Sequence, residues 1–330
     1  MNGPQVDGVL VQWGERLFYS ANRIVRSPPT PRLDTLMRRK AAVIRQRIEA
    51  TVRHAPQVVV MNAGGGRGMK AIAAHFRYIS MNGRLVIEDD RGVERTGEEA
   101  VRDLLDQWRF GGARIEEVGH RREAFNVMLS MPIGTNAELL KKAVREFAQV
   151  ELKGHRYVMV LHEHQAHPHV HLCFKCAAAT GGRLYPHKAL RHRWRETFAE
   201  KLRGLGIEAE ATRQAVRGEQ RSSEPLWRIK TRKQGLLRVQ TAPAKTASPV
   251  PRGATDAMIS WAHILEALAA SGDPGDRELA KRVSGFIRDS TVFKESVRRR
   301  PGREASVIPQ PAKLAQPVEP PRSMDRKRER

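Results

Sequence analysis

The sequence predicts an α/β (α+β) fold in which five short strands alternate with four helices. Three features of residues 56–219 predict it: short β-branched runs, apolar residues spaced three or four apart, and polar or glycine residues where these segments begin and end. β-Branched runs bounded by turn residues are typical of strands, and the wider spacing is typical of amphipathic helices. At 330 residues the chain has room for about two domains.

The predicted elements follow one another closely along this central part of the chain. Thr96 and Thr135 each precede a glutamate by three positions, a capping-box pattern that opens a helix. The last two strands are separated only by a short polar segment, which favours an antiparallel pair. In chain order the predicted strands are QVVVMN (57–62), RLVIED (84–89), AFNVMLSM (124–131), RYVMVLH (156–162) and HVHLCFK (169–175), and the four helices begin near residues 68, 96, 135 and 188.

Residues 1–55 are predicted to form a separate, basic N-terminal extension. A Pro-rich break precedes LDTLMRRKAAVIRQRIEATVRH, which predicts one basic amphipathic helix. This helix either packs on the neighbouring domain or contacts DNA or a partner, and the first alternative is favoured because basic stripes are common on basic proteins. Its rough apolar stripe consists of Leu33, Leu36, Val43, Ile44 and Ile48.

Residues 220–330 are predicted to form a basic C-terminal region rich in Arg, Pro and Ala. One helical hairpin is expected within it, from residues 255–272 and 276–289, between flanks predicted to be disordered. The chain is therefore divided into the N-terminal extension, a central domain over 56–219, and this region, interpreted as an electrostatic and partner-binding appendage.

The charge balance points to a polyanionic partner. The chain has 59 Lys and Arg against 36 Asp and Glu, a formal net charge of +23, which favours a polyanion such as nucleic acid or an acidic membrane face. Two cysteines exclude a disulfide scaffold, and no apolar run approaches the roughly 18 residues that would span a bilayer. No signal peptide is recognised at the N-terminus. We therefore expect a cytoplasmic protein without stable membrane insertion.

Chemistry is concentrated in the segment LHEHQAHPHVHL (161–172), which holds five of the 12 histidines. On a strand, side chains two positions apart share a face, so His169 and His171 point the same way while Val170 points toward the core. If the last two strands pair antiparallel, His162 supplies a third nitrogen. This pattern predicts a three-histidine metal site with open positions, which favours catalysis. The alternatives are a histidine-rich surface loop that binds nothing and a closed structural zinc site, for which no fourth ligand is evident.

A glycine cluster, NAGGGRGMK (62–70), lies between the first strand and the first helix of the central domain. No Gly-Lys-Ser/Thr follows at the spacing of a Walker loop. The cluster is either a plain tight turn or a loop whose amides, together with Arg67 and Lys70, approach a nucleic-acid phosphate.

Tyr78 stands near the end of that helix and is one of only four tyrosines in the chain. Taken alone, its position is typical of an aromatic residue at the edge of a core. Beside an open metal site on a basic protein, its phenol is a candidate nucleophile toward a phosphodiester.

Three motifs in this order resemble those of relaxases, the HUH (histidine, hydrophobic, histidine) endonucleases of conjugation. The motifs are GGGRGMKAIAAHFRYISMNGRLVIED, NVMLSMPIGT and HEHQAHPHVHLCFK, and the resemblance covers roughly residues 57–218. It is strongest to the group that contains the border-nicking enzyme of tumour-inducing plasmids. The resemblance implies a five-stranded antiparallel sheet with flanking helices. By position it assigns the nucleophile to Tyr78, the metal ligands to His162, His169 and His171, and the middle motif to Ser130, Pro132, Gly134 and Thr135.

Two positions depart from the family pattern. The family commonly has Asp two residues after the first metal histidine, where this chain has His164, and Asn shortly after the last, where it has Lys175. His164 is accordingly predicted to act in catalysis as a helper base or ligand-orienting group. The predicted DNA contacts are Arg67, Lys70, Arg77, Ser130, Thr135 and Lys175.

The resemblance implies a relaxase that nicks one DNA strand at an origin of transfer by metal-assisted tyrosine attack. The expected cofactor is a divalent ion, Mg²⁺ or Mn²⁺, with Zn²⁺ as a further candidate. The expected partners are single-stranded or supercoiled plasmid DNA, relaxosome accessory proteins and a type IV coupling protein, with translocation of the protein into the recipient bacterium. Two alternatives stay open: a rolling-circle replication initiator with the same chemistry, and a non-catalytic DNA-binding accessory protein of this fold.

Overall fold

Helices surround a single antiparallel sheet. The computed structural model describes residues 3–19, 33–112, 114–163, 167–219, 231, 235 and 252–299. Within these residues no helix is long and apolar enough to cross a bilayer. In chain order the elements are α1 (Gly3–Phe18), α2 (Leu33–Val52), β1 (Val59–Gly64), α3 (Met69–Ile79), β2 (Ile87–Asp89), β3 (Glu94–Arg95), α4 (Glu98–Phe110), β4 (Ala124–Ser130), α5 (Ala137–Glu151), β5 (His155–His162), β6 (His169–Ala178), α6 (Lys188–Gly204), α7 (Arg252–Ala269), α8 (Pro274–Asp289) and α9 (Thr291–Arg299).

The strand order is β1-β4-β6-β5-β2-β3, and every neighbouring pair is antiparallel. The predicted mixed fold with an antiparallel sheet is confirmed. The predicted number of five strands is corrected to six among the described residues, because Glu94–Arg95 pairs with Ile87 and Glu88. A strand of two residues shows no alternation of apolar and polar positions, so no sequence pattern predicts it.

Two helices cover each face of the sheet. Because side chains alternate along a strand, each central strand contributes to two separate cores. On one face α5 and α6 pack over Phe125, Val127, Leu129, Val170, Leu172 and Phe174. On the other face α3 and α4 pack over Ile87, Ala124, Val158, Val160 and Cys173.

Both predicted capping boxes are wrong in detail. The residue before α4 is Gly97, which cannot cap with a side chain, and the helix begins at Glu98. At α5 the cap is Asn136, whose side-chain oxygen accepts a hydrogen bond from the amide of Leu139. The hydroxyl of Thr135 instead donates to the carbonyl of Pro132, at 2.9 Å. Asn is at least as good a cap as Thr, and its oxygen reaches the same orphan amides.

Four helices that flank the sheet region in sequence share one core. We call α1, α2, α7 and α8 the outer helical module; the predicted hairpin corresponds to α7 and α8, and α1 was not predicted. The apolar stripe predicted on α2 is narrower than expected, because Ile44 and Ile48 are buried but Leu36 and Val43 are exposed. The core of the module includes Val6, Leu10, Leu17, Ile44, Ile48, Trp261, Ile264, Val283 and Phe286.

Hydrogen bonds join the outer helical module to the rest of the fold. The indole of Trp261 donates to the carbonyl of Val216 at 2.6 Å, just after the sheet region ends. From α2, one guanidinium nitrogen of Arg47 donates to Glu196 on α6 at 2.9 Å and to Glu210 at 3.0 Å. Burial would lower the pKa of Arg47, but the two carboxylates outweigh burial, and the pKa is raised.

Candidate active site

Two histidines project from one face of β6. His169 and His171 flank Val170, which is completely buried in the core under α5 and α6. Strand alternation therefore places both imidazoles on the opposite face, as the His-Val-His pattern predicts. The opposite strand β4 contributes Met128, which pairs with His171, and Ser130, which pairs with His169.

A third histidine joins them from the neighbouring strand. β5 and β6 are antiparallel with His162 opposite His169, so the two side chains share a face. One nitrogen of each of His162, His169 and His171 lies within 4.8 Å of the other two. The ring centroids are 4.6 to 5.0 Å apart, and each residue is less than one-tenth exposed. We call these three residues the histidine cluster; it could hold a metal ion.

Backbone carbonyls fix the tautomers of two rings. Nε2 of His162 lies 2.6 Å from the carbonyl oxygen of Ile79, the last residue of α3. Nδ1 of His169 lies 3.0 Å from the carbonyl oxygen of His167. A carbonyl only accepts, so each of these nitrogens carries a proton, which leaves the other nitrogen of each ring as the one able to face a metal ion. Metal-bound histidines are commonly oriented in this way.

The third ring is held neutral by its surroundings. Burial, followed by the charges of His162, His169 and His75, lowers the pKa of His171 to about 3. Its Nδ1 is buried without a hydrogen-bond partner among the described residues. Three imidazoles close together, one with an orphaned nitrogen, fit a divalent cation. Nitrogen donors suit Mn²⁺ or Zn²⁺ better than Mg²⁺, which prefers oxygen.

Tyr78 lies at the edge of the histidine cluster. Met69, Ile72, Phe76 and Ile79 bury one stripe of α3, which leaves Tyr78 on the outside of the last turn, 70% exposed. Its ring centroid is 6.3 Å from that of His171. The structure thus brings the predicted nucleophile and the predicted metal ligands together, with the phenol open to solvent.

His75 is a site residue that the sequence analysis missed. It lies one turn before Tyr78 on α3, and its ring centroid is 6.3 Å from both Tyr78 and His171. Burial lowers the pKa of His75 to about 4, so the ring is neutral at physiological pH. The available signal was its spacing of three from Tyr78, which places both on one side of a helix.

The glycine cluster is a tight turn whose amides are largely occupied. Gly66 donates to the carbonyl of Ala124 at 3.0 Å, Met69 to Glu116 at 2.9 Å and Lys70 to Glu117 at 3.1 Å. These amides are not available to a phosphate, which favours the plain-turn alternative. The side chains of Arg67 and Lys70 are exposed, and neither forms an ion pair with a described residue.

The remaining predicted DNA contacts near the cluster differ in exposure. Arg77 is exposed beside Tyr78 on α3. Ser130 is buried, and its hydroxyl donates to the carbonyl of Pro168 at 3.1 Å, which fixes the residue before His169. Thr135 closes the turn after β4 through its bond to Pro132. Arg77 is thus the member of this group with a free cationic head at the site.

Lys175 lies away from the histidine cluster. It is four residues beyond His171 on β6, about 13 Å along a strand. It is 5% exposed and donates to the carbonyl of Gly111 at 3.1 Å. This placement does not favour a DNA contact at the cluster. His164, the other departure from the family pattern, lies outside the described residues.

The comparison with known families agrees with this geometry. Residues 82–207 match the family model "Relaxase: MobA/VirD2-like, nuclease domain". Residues 82–207 are therefore similar to the nuclease domain of relaxases, and the match supports a relaxase of the HUH superfamily with a DNA-nicking endonuclease function. The matched segment contains the whole histidine cluster and begins four residues after Tyr78, and it does not single out the border-nicking group. The chain has no match among curated proteins.

Proposed function

We propose that this protein is a strand-specific relaxase that nicks plasmid DNA at an origin of transfer, stays attached to the 5′ end, and later rejoins the strand during conjugation. One observation carries the proposal. The exposed phenol ring of Tyr78 lies 6.3 Å, centroid to centroid, from the ring of His171, one of three buried histidines that could hold a metal ion. The relaxase domain match supplies the substrate class.

The proposed reaction is a transesterification. The phenol oxygen of Tyr78 attacks the scissile phosphorus, a phosphorus–oxygen bond to Tyr78 forms, and the bond to the 3′ oxygen breaks. His162, His169 and His171 would hold a divalent ion, Mn²⁺, Mg²⁺ or Zn²⁺, which when bound polarises the phosphate and stabilises its developing negative charge. The phenolic proton passes to a base, for which we propose His164, and the departing 3′ oxygen takes up a proton.

The same residues support the reverse reaction. The phosphotyrosine linkage is a phosphodiester of similar energy to the one broken, so a 3′ hydroxyl can attack it and release Tyr78. A relaxase needs this reversibility because it must close the transferred strand. No residue is consumed, because the bond to Tyr78 is broken when the strand is rejoined.

Exposed cations on α3 support binding of a strand beside the nucleophile. Arg77 adjoins Tyr78 in the sequence. Lys70 lies eight residues before Tyr78, about 12 Å from it along the helix axis. Contacts of this kind bind phosphates without reading bases. We propose that they hold the strand near the scissile phosphate. Base recognition at the origin, relaxosome accessory proteins and a type IV coupling protein complete the proposed pathway.

Substitution of the nucleophile tests the proposal. Tyr78→Phe keeps the ring and loses only the oxygen, so we expect no nicking and no covalent adduct with single-stranded origin DNA, while strand binding is nearly unchanged. The measurement is denaturing electrophoresis of labelled DNA after incubation with a divalent metal, beside a binding assay. Tyr185→Phe removes another exposed phenol and serves as the matched control. An adduct formed by the Tyr78 variant would contradict the proposal and make Tyr19 the next tyrosine to test.

A further inference from the structure

A cavity separate from the candidate active site lies at the end of the sheet opposite the histidine cluster. It has a volume of about 620 Å³ and is formed where β2 and β6 end and β5 begins, together with the last residues of α4 and α5. We call it the far-edge cleft. Buried core beneath α3 and α4, including Cys173 and Trp108, fills the sheet face between Lys175 in the cleft and His171 in the cluster.

The charges that line the far-edge cleft are unbalanced. Arg91, Lys153, Arg156 and Lys175 line it, and the only lining carboxylate among the described residues is Asp90. Asp90 is paired with Arg156, at 3.6 Å between Oδ1 and Nε. Three cations therefore remain without a carboxylate inside the cleft, which favours an anionic ligand.

Lys175 differs from the other lining cations because it is buried. It is 5% exposed, and within the described residues its ammonium has one hydrogen bond, to the neutral carbonyl of Gly111, and no ion pair. It also lies 5.7 Å from the ring centroid of Trp108. Burial, and then the charge of Arg156, lowers the pKa of Lys175 to about 8, because the opposing effect of the carboxylates of Glu123 and Asp90 is smaller. A buried ammonium is costly unless a counter-charge is present, and an anion in the cleft would provide one.

We propose that the far-edge cleft binds a phosphate-bearing ligand of nucleotide size, with Lys175 as its buried contact. Arg91 and Lys153, at the exposed side of the cleft, are placed to hold the rest of the ligand. Arginine and lysine together are the side chains that most often bind phosphate. The site is independent of Tyr78 and of the histidine cluster, and its ligand is either a free nucleotide or a phosphate of a nucleic-acid strand.

The test uses full-length protein and three probes: inorganic phosphate, deoxythymidine monophosphate and a short oligothymidine. Binding is measured by calorimetry and by the shift of the unfolding midpoint, with sodium chloride holding the ionic strength constant. Lys175→Met keeps the length of the side chain and removes the charge. We expect it to weaken mononucleotide binding by at least about tenfold. Lys188→Met, an exposed lysine outside the cleft, is the matched control and should bind like the wild type.

The probes separate the two ligand sources. If Lys175→Met weakens both the mononucleotide and oligothymidine, the cleft holds a strand phosphate; if it weakens the mononucleotide alone, the ligand is a free nucleotide. The absence of mononucleotide binding by the wild type, or equal binding by both variants, overturns the proposal. If Lys175→Met fails to fold, the extent of lysine acetylation is measured on the wild-type protein with and without the mononucleotide. We expect the mononucleotide to protect Lys153 from acetylation and to leave Lys188 unprotected. Equal labelling of both lysines with and without the mononucleotide would refute the proposal.

Discussion

His169 and His171 each supply one of the three nitrogens of the histidine cluster. Replacing either with Ala leaves two donors, so we expect nicking of origin DNA to fall by more than about 100-fold. Wild-type protein treated with EDTA should lose the same activity and regain it with Mn²⁺ more readily than with Mg²⁺, whereas neither ion should rescue the variants. His120→Ala, an exposed histidine away from the cluster, is the control. Full cleavage by metal-free protein would remove the metal from the mechanism.

The sequence was sufficient to predict the histidine cluster, but it did not predict all of the residues that surround the cluster. Alternation on β6 and the pairing of its neighbour determine where His162, His169 and His171 point, and both are visible in a linear pattern. The place of His75 depends on how α3 is rotated over the sheet. The occupied amides of the glycine cluster depend on Glu116 and Glu117, which lie in a loop some 50 residues later with no recognisable pattern.

The turn that precedes α3 is expected to tolerate no side chain at Gly65. A Cβ there would lie 2.2 Å from the carbonyl oxygen of Ala124, which is backbone and cannot rotate away. We expect Gly65→Ala to lower the free energy of unfolding by about 1–3 kcal/mol and to reduce nicking, because α3 carries Tyr78. Gly182→Ala, where the added Cβ meets nothing within 4 Å, is the control. Chemical denaturation measures the difference, and equal stability of the two variants would contradict the expectation.

A buried carboxylate on α8, that of Asp276, joins this helix to α2. Asp276 accepts hydrogen bonds from Arg45 at 2.8 and 3.1 Å and from Ser271 at 2.8 Å. Burial alone would raise the pKa of Asp276, but these hydrogen bonds outweigh it and lower the pKa. A carboxyl whose pKa is lowered in the folded state stabilises it above the unfolded pKa of about 3.9, and the stabilisation disappears as pH falls through the folded value.

Asp276→Asn should therefore lose stability at neutral pH and lose less of it on acidification. We expect a deficit of about 1–2 kcal/mol, at the lower end for a charged hydrogen bond because solvent screens the partly exposed Arg45. Thermal unfolding followed by circular dichroism between neutral pH and pH of about 3 compares the two proteins. Asp289→Asn, an exposed carboxylate on the same helix, controls for net charge. Parallel pH profiles of variant and wild type would exclude this role for Asp276.

Elements with regular patterns were predicted and irregular ones were not. Runs of β-branched residues predicted the five longer strands. β3 was not predicted, because two residues are too few to show an alternation of apolar and polar positions. The capping boxes failed for a different reason. Thr135 and Asn136 are both good caps, and the choice between them depends on the turn that Pro132 and Gly134 impose, with Gly134 at a φ of 89°.

Chains shortened at two positions should behave differently. A chain ending at Glu219 lacks α7 and α8, which exposes the core of the outer helical module, so we expect partial unfolding of α1 and α2. A chain ending at Arg299 keeps the module and should nick DNA normally, while transfer in mating assays fails because the basic residues beyond are proposed to bind the coupling protein. Its DNA binding should also depend less on salt. Normal transfer by this longer chain would contradict that assignment.

The outer helical module could not be derived from the sequence. Each of its helices has an apolar stripe, but nothing in a stripe identifies its partner, and Leu10 and Trp261 are separated by the entire sheet region. Bringing them into one core closes a very long loop and carries an entropic cost. Only the tertiary structure shows that packing in the core of the module offsets this cost.

Because α1 and α2 precede the sheet region and α7 and α8 follow it, packing within the outer helical module joins the two ends of the sheet region. Tension applied along the backbone from either direction reaches these helices before it reaches β1 or α6. A machine that draws the protein through a narrow channel would therefore first pull apart helices held by side-chain packing. Only afterwards would it meet the six strands, whose ladders of hydrogen bonds resist shearing together.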